Sequence, residues 1–357
     1  NAIYRQSVGA QFTCALHGYC ARRTPKGDDL FMRAVIITRP GGPEVLDIQD
    51  VALPEPVCDQ VRVRVRAAGL NRADLSQRAG HYPAPPGSPA NIPGLEFAGE
   101  VDAVGPLVRT WKPGQRVMGI TGGGGQAEYI LSHEGMLVEI PENLDFVQAA
   151  AVPEVFMTAH DALFTQAGLQ MGERVLIHAI GSGVGTAALQ LAHAIGATVF
   201  GTSRTPQKLE QAKALGLDIA LSEQNFAAQV KQRTNGEGVH VVLDFVGAAY
   251  MEQNLESLAT WGRLVFLATL SGVHANVNLG MVMGKRIQVR GSTLRSRTLE
   301  EKLAVTRRFA TQVVPLLASK RIQPVIGEVY PLHEIAKAHV AMAENRNFGK
   351  LVLRIDD

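Results

Sequence analysis

The sequence predicts an α/β fold, a doubly wound parallel sheet accompanied by a smaller β-rich domain. Three observations predict it. Up to about residue 153, short stretches with period-two alternation lie between Gly and Pro turns. From about residue 174, apolar strands alternate with amphipathic helices, the order that builds a parallel sheet through crossover helices. At the first strand-to-helix junction of that region, "HAIGSGVGTAALQLAHAIGA" sets Gly181, Gly183 and Gly185 within five positions.

Each element has its own signal. Residues 1–31 show no clear period, begin at Asn1 and precede Met32, so they are read as a leader or an appended remnant outside the fold; Arg5, Arg22, Arg23 and Lys26 with few acids leave a transit peptide as the alternative. "RAVIIT", "VRVRVRAAGL", "FAGEVDAVG", "QRVMGI" and "AEYILS" read as strands, and in "VRVRVR" the valines take one face and the arginines the other. "QAAAVPEVFMTAHDALFTQAG" reads as a helix around an internal proline. Then come strand "RVLIHA", helix "GTAALQLAHAIG" and strand "TVFGT". Helix "TPQKLEQAKALG" follows, with Thr205 as N-cap, Pro206 in its first turn and Gly216 past its end. Helix "AAQVKQRTNGEG", strand "VHVVLDFVG", helix "YMEQNLESLATWG" and strands "RLVFLA" and "RIQVRGSTL" continue the alternation. The last part reads as a helix from about Leu299 to Ser319, extended "GEVYPL", helix "HEIAKAHVAMAE" and strand "GKLVLRI".

The bulk numbers narrow the function classes. A chain of 357 residues with 46% apolar and 19% charged residues has material for two or three domains with a sizeable core. The formal charge of +2, with both signs interspersed, gives no support for a nucleic-acid or membrane surface. No apolar run is long enough to span a bilayer. The cysteines are Cys14, Cys20 and Cys58 without a CxxC, so neither a disulfide framework nor a thiolate zinc cage is readable, and a reducing compartment, the cytoplasm, is the expectation.

The glycines carry the first chemistry. Bare main chain between a strand and a helix lets N–H groups approach an anion, and the helix N-terminus adds partial positive charge. A dinucleotide pyrophosphate suits Gly181, Gly183 and Gly185; the alternative is a tight turn packed for its own sake. After the next strand, an acid would bind a ribose 2′-hydroxyl. The stretch "VFGTSRTPQK" has no acid before Glu210 and instead offers Ser203, Arg204 and Lys208, a set suited to a 2′-phosphate. NADPH is therefore the expected cofactor. Lys208 also reads as an ordinary solvated helix lysine.

The motifs "AAGLNRADLSQRAGHYP", "PGLEFAGEV", "GGGGQAEY", "AAAVPEVFMTA" and "HAIGSGVGTAALQLA" resemble the zinc-independent quinone oxidoreductases of the medium-chain dehydrogenase/reductase superfamily, closest to the zeta-crystallin-like and stress-inducible branch. The resemblance covers Met32 to the C-terminus. It implies a GroES-like substrate domain over 32–153, completed by 295–357, and a Rossmann NADPH-binding domain over 154–294, with a cleft between them. It also implies a homodimer or homotetramer. Zinc relatives carry Cys and His where this chain has Asn71 and Leu95; neither replaces a zinc ligand, so no metal is expected.

What the resemblance implies for the site follows. A quinone is a strong hydride acceptor whose reduced oxygen is a stabilised phenolate, so the cleft has mainly to position the ring and supply donors. Asn71 is placed to donate its amide N–H or to cap the next helix, and Tyr82 to stack, donate or pack in a lid. The main chain of Thr121–Gln126 approaches the ligands or is a mobile turn. Asp74, Thr158, Gly183, Val184, Leu267, Ala268, Thr269, Thr293, Leu294, Phe348, Gly349 and Lys350 carry over as cofactor contacts, with ordinary loop structure as the alternative for those at strand ends. Relatives place a tyrosine after the third strand of the cofactor domain, where this chain has Ser222 and Glu223. The leading expectation is reduction of quinones or similar electrophiles by NADPH. Beside it stand a 2-alkenal or enoyl-thioester reductase, for which Tyr82 is the one proton donor in view, and a dinucleotide-binding, crystallin-like protein with little turnover.

Overall fold

Burial follows the "VRVRVR" alternation: Val61, Val63 and Val65 are buried, while Arg62 and Arg66 reach Asp102 and Glu100 on the neighbouring strand. The computed structural model describes residues 30–355. The reading of residues 1–29 lies outside these, and the first strand takes in Phe31, one residue ahead of Met32.

The chain opens with the hairpin pair β1 (Phe31–Ile37) and β2 (Leu46–Ala52). There follow β3 (Gln60–Leu70), α1 (Arg72–Arg78), β4 (Glu96–Val104), β5 (Arg116–Ile120), β6 (Tyr129–His133) and β7 (Leu137–Glu139). Helices α2 (Phe146–Ala150) and α3 (Pro153–His160) lead to the second sheet. That sheet consists of β8 (Arg174–Ile177), β9 (Thr198–Ser203), β10 (Ile219–Ser222), β11 (Val239–Asp244), β12 (Leu258–Phe266) and β13 (Gln288–Gly291). Between its strands run α4 (Gly183–Ala194), α5 (Pro206–Lys213), α6 (Phe226–Arg233), α7 (Met251–Ser257) and α8 (Leu279–Lys285). The last segment holds α9 (Leu299–Gln312), α10 (Val314–Ala318), β14 (Ile326–Pro331), α11 (Ile335–Ala343) and β15 (Lys350–Arg354).

The second sheet has the order β10-β9-β8-β11-β12-β13 with every pair parallel, the doubly wound arrangement expected. Its strand order reverses between β8 and β11, and ligands of such sheets sit at the carboxyl ends beside that point. The other sheet has the order β14-β15-β3-β4-β5-β7, with β6 also on β3. Leu351 of β15 pairs with Leu70 of β3, so the end of the chain returns to the first sheet and lies beside Asn71.

Several elements differ from the sequence reading, which did not contain β2 or β7. The helix around Pro153 is two helices, because proline has no N–H and starts α3 instead of continuing α2. α3 then widens into a π-helical turn at Asp161–Gln166. The helix expected to run to Gly262 ends at Ser257, and β12 starts at once; Trp261 stands at φ 65°, a left-handed conformation that no helix contains. The helix from Leu299 breaks at Val313, ahead of Pro315. α8 was not expected, since two glycines in "LGMVMGK" hide its period.

Candidate active site

Ser182 is the N-cap of α4. Its Oγ accepts from Gly185 N at 3.0 Å, and its carbonyl oxygen accepts from Thr186 N at 2.8 Å. The main-chain N–H groups of Gly183 and Val184 keep no partner among the described residues, as the first turn of a helix dictates. Two free donors at the positive end of a twelve-residue helix form an anion cradle. The glycines themselves answer first to the protein's own atoms. A Cβ on Gly185 would lie 2.5 Å from Ala179 O, one on Gly183 2.8 Å from Lys350 Cδ, and one on Gly181 3.0 Å from Lys208 Cδ and Phe348 Cδ2. The turn is stitched to the end of the chain: Gly349 N donates to Gly181 O at 2.9 Å, beside a bridge between Ser182 and Gly349. Phe348, Gly349 and Lys350 thus lie against the glycine turn.

Beyond β9, Arg204 is exposed and Lys208 half-buried. A third cation joins them. Arg72, on α1, donates to Met342 O at 2.9 Å and Asn345 Oδ1 at 2.6 Å, and Lys208 Nζ donates to Asn345 O at 2.6 Å. Burial first, then the neighbouring Arg204 and Arg72, hold the Lys208 amine below its usual range; burial and Arg204 do the same to Arg72. No carboxylate among the described residues pairs with any of the three. Ser203 Oγ accepts from Thr205 N at 3.2 Å, and Thr205 stands at the N-cap of α5 without a side-chain cap bond. Near Arg204, Glu223 accepts from the Tyr250 hydroxyl at 2.9 Å; an aromatic hydroxyl comes here from the segment before α7, not from the end of β10.

Between β3, β4, α3 and β15 lies a buried polar knot. Lys350, 4% exposed, donates to Leu70 O and Asn71 Oδ1, each at 2.8 Å, and to Glu96 Oε1. Asn71 Nδ2 donates to Glu96 Oε1 at 2.9 Å and, at 3.5 Å, to Gly69 O. Glu96 Oε2 accepts from Glu154 N at 2.8 Å. The amide of Asn71 is therefore spent inside the protein, because a buried ammonium and carboxylate each require partners. The same demand consumes the Lys350 ammonium.

Asp74, expected near the cofactor, has no exposed surface. It accepts from Asn71 N at 2.8 Å and Gly94 N at 3.0 Å, capping α1 and fastening the loop before β4. Burial pushes its carboxyl up to about 6, against those two main-chain bonds and the charges of Lys350 and Arg295. Gly185, whose N–H is taken by Ser182, and Leu294, buried in the core, likewise serve packing. Leu267, Ala268 and Thr269 follow β12, and Thr293 follows β13, at the carboxyl ends of the sheet. There His178 bonds Thr202 Oγ1 at 2.8 Å and Asn254 Oδ1 at 2.7 Å, fixing the ends of β8 and β9; burial drops its imidazole to about 4, so the ring is neutral.

Tyr82 lies in a Pro-rich loop. Arg295, 5% exposed, stacks on its ring at 4.9 Å and donates to Tyr82 O at 3.0 Å, Gly122 O at 2.8 Å and Gln77 Oε1 at 2.5 Å. A Cβ on Gly122 would meet Ser88 Oγ at 2.2 Å, so the four-glycine loop is bare because the Tyr82 loop lies upon it. On α3, six of eight residues are buried; Glu154 and Thr158, one turn apart, keep open surface. Sequence reasoning named Thr158 and Tyr82 but not Arg72, Glu154 or Arg295. Only Glu154 had a signal, a lone acid in the apolar run "AAAVPEVFMTA".

Among the described residues no group of three or more His, Cys, Asp or Glu is placed to hold a metal, and no helix is long and apolar enough to cross a membrane.

Comparison with known proteins agrees with this geometry. Residues 58–142 match the family described as Alcohol dehydrogenase GroES-like domain, and residues 183–310 the family described as Zinc-binding dehydrogenase. The chain is 39% identical to a quinone oxidoreductase of Pseudomonas aeruginosa over 88% of this chain and 96% of that one. It is 35% identical to the quinone oxidoreductase of Sus scrofa over 90% and 97%. The solved structure of a mycobacterial protein complexed with NADPH is 28% identical, with a TM-score of 0.80 over 91% of this chain and 100% of that one. With its doubly wound sheet and its GroES-like partner domain, the chain is an oxidoreductase of the quinone oxidoreductase family, in the medium-chain dehydrogenase/reductase superfamily.

Proposed function

We propose that the chain reduces quinones and related electrophiles with NADPH, without a metal ion, as a cytoplasmic homodimer or homotetramer. The observation that carries the cofactor assignment is the cluster of Arg72, Arg204 and Lys208 beyond β9. Three cations with no carboxylate partner repel one another, and a 2′-phosphate relieves that repulsion through charge-assisted bonds. Gly183 and Val184 N–H groups would hold the pyrophosphate. Thr158, Leu267, Ala268, Thr269 and Thr293 would line the nicotinamide side, and Phe348 and Gly349 would close over the turn. When bound, the dihydronicotinamide supplies a hydride.

The chain's own residues do the rest. Lys350, Glu96 and Asn71 hold the knot rigid, and Arg295 fixes the Tyr82 and Gly122 loops that border the substrate space. A quinone needs little acid assistance, and the knot where zinc relatives carry a ligand is an amide bonded to Glu96 and Lys350, unsuited to a metal. The dimer would rest on β13, an edge strand with every residue exposed, which follows α8 and its exposed Leu279 and Met283 in the chain.

The deciding experiment follows NADPH oxidation with 1,2-naphthoquinone and 1,4-benzoquinone, set beside 2-alkenals and crotonyl thioesters, before and after dialysis against a strong chelator. Quinone turnover that survives dialysis is expected; turnover with alkenals alone, or none with any acceptor, overturns the reading.

A further inference from the structure

Beside the Lys350–Glu96–Asn71 knot stands an acid that no part of the reading above employs. α3 is buried along its length except at Glu154 and Thr158, which share one face by their one-turn spacing. The Glu154 carboxyl forms no hydrogen bond or ion pair with any described residue. Its main-chain N–H is bound by Glu96, which fixes where α3 starts. Two of the nearby cations are engaged elsewhere, Lys350 by Glu96 and Asn71, and Arg295 by Gln77, Gly122 and Tyr82; the third, Lys302 of α9, faces Glu154 by its charge without a hydrogen bond to it.

We propose that Glu154 is the proton donor of this cleft, passing its carboxylic proton to the oxygen of the reduced acceptor. This rests on the reductase reading above. The acceptor gains a hydride, hence two electrons, from bound NADPH, which leaves as NADP⁺. The oxyanion so formed takes the proton as its O–H bond forms and the Glu154 O–H bond breaks. The carboxylate then regains a proton from water at the open side of the cleft.

The charges around Glu154 suit this role. Burial, and then the Glu96 carboxylate, raise its carboxyl to about 8; Asp74 adds to the rise, while Lys350 and Arg295 oppose it. Lys302 of α9 and Tyr82 complete the ring of titratable groups facing it. Glu154 therefore carries its proton at neutral pH. The Tyr82 phenol is the weaker candidate, because burial pushes it above its usual value, with Arg295 opposing. A matched general acid contributes typically 10²–10⁴-fold, less for an acceptor whose anion is already stable.

The test compares wild type, Glu154→Gln and Glu154→Asp. For the cofactor-free protein, the infrared C=O stretch of a protonated carboxylic acid should be present at pH 7, disappear as pH rises through about 8, and be missing in Glu154→Gln. With 1,4-benzoquinone, kcat of Glu154→Gln should fall roughly tenfold, and of a 2-alkenal further, with Glu154→Asp partly restoring both. The wild-type kcat should decline above pH 8 and that of Glu154→Gln should not. An unchanged infrared band, or a Glu154→Gln enzyme with wild-type kcat and pH profile, overturns the assignment. Absence of quinone turnover in the wild type instead overturns the reductase reading, and the infrared band still decides whether Glu154 holds a proton.

Discussion

Arg295 lies 4.9 Å over the Tyr82 ring while donating to Tyr82 O at 3.0 Å. The guanidinium comes from the segment just after β13, at the edge of the parallel sheet, yet it ties down loops that belong to the other sheet. Gln77, Tyr82 and Gly122 all converge on it. One buried, planar group with several donors thus fastens α1, the Tyr82 loop and the four-glycine loop to one another.

Removing that group should loosen both loops at once. Arg295→Ala leaves Gln77 Oε1 and Gly122 O without their donor, at a cost of about 1–3 kcal/mol for each buried acceptor left unpaired. KM for quinone should rise roughly tenfold while the NADPH dissociation constant stays near wild type. Arg295→Lys should not rescue, since an ammonium cannot present the same planar fork. Steady-state kinetics alongside thermal denaturation checks this. A lysine variant with wild-type KM would show that the charge matters and the fork does not.

The cation cluster makes a separate prediction about cofactor choice. Arg204→Ala and Lys208→Ala should each weaken NADPH binding roughly tenfold or more, the scale of one charge-assisted bond, and leave NADH nearly untouched. Arg72→Ala should do the same more mildly, because Arg72 also anchors the end of α11 through Met342 and Asn345. Fluorescence titrations with both nucleotides at low and moderate salt measure the effect, which should shrink as salt rises. Equal losses for NADPH and NADH in the Arg204 and Lys208 variants would sink the 2′-phosphate assignment.

These residues show what a sequence makes legible. Periodicity recorded the sheet, because burial on both faces of β8, β9 and β11 leaves unbroken apolar runs. The glycines between β8 and α4 and the cations after β9 could be read because they are local, fixed within a few residues of a recognisable turn. Arg72, Glu154 and Arg295 act through partners far along the chain. Glu154 has its meaning from Glu96 on β4 and Lys350 on β15, and no window of sequence contains all three. The same distance explains Asp74 and Asn71. Their family positions suggested ligand contact, while tertiary packing turned their polar atoms inward, onto Gly94, Glu96 and Lys350.

The Glu96–Lys350 pair should reveal itself as a structural element rather than a ligand group. Removing one buried partner strands the other charge, so Lys350→Met and Glu96→Gln should each cost about 3–5 kcal/mol of stability. The double variant should recover much of that loss, since neither charge then remains unpaired. Urea denaturation of the four proteins gives the coupling energy. Additive losses would mean the two side chains are held independently and β15 is not fastened to β4 through them.

The last prediction concerns the free edge of the parallel sheet. Gln288–Gly291 form β13, paired on one side with β12 and on the other with no described residue, and Val289 is 46% exposed. In α8, which leads into it, Leu279 and Met283 are 69% and 76% exposed, an unusual outlay of apolar surface. A second copy pairing edge to edge about a two-fold axis satisfies both the hydrogen bonds and the apolar side chains, because such an interface is self-complementary. Light scattering after size-exclusion chromatography should show the wild type as a dimer or a multiple of it. Val289→Lys with Leu279→Lys should yield monomer. The proposed cofactor residues all lie on one chain, so the monomer should bind NADPH within about twofold of wild type, as expected for surface substitutions. A wild type that runs as a monomer, or a double lysine variant that stays dimeric, would place the subunit contact, if any, elsewhere on the molecule.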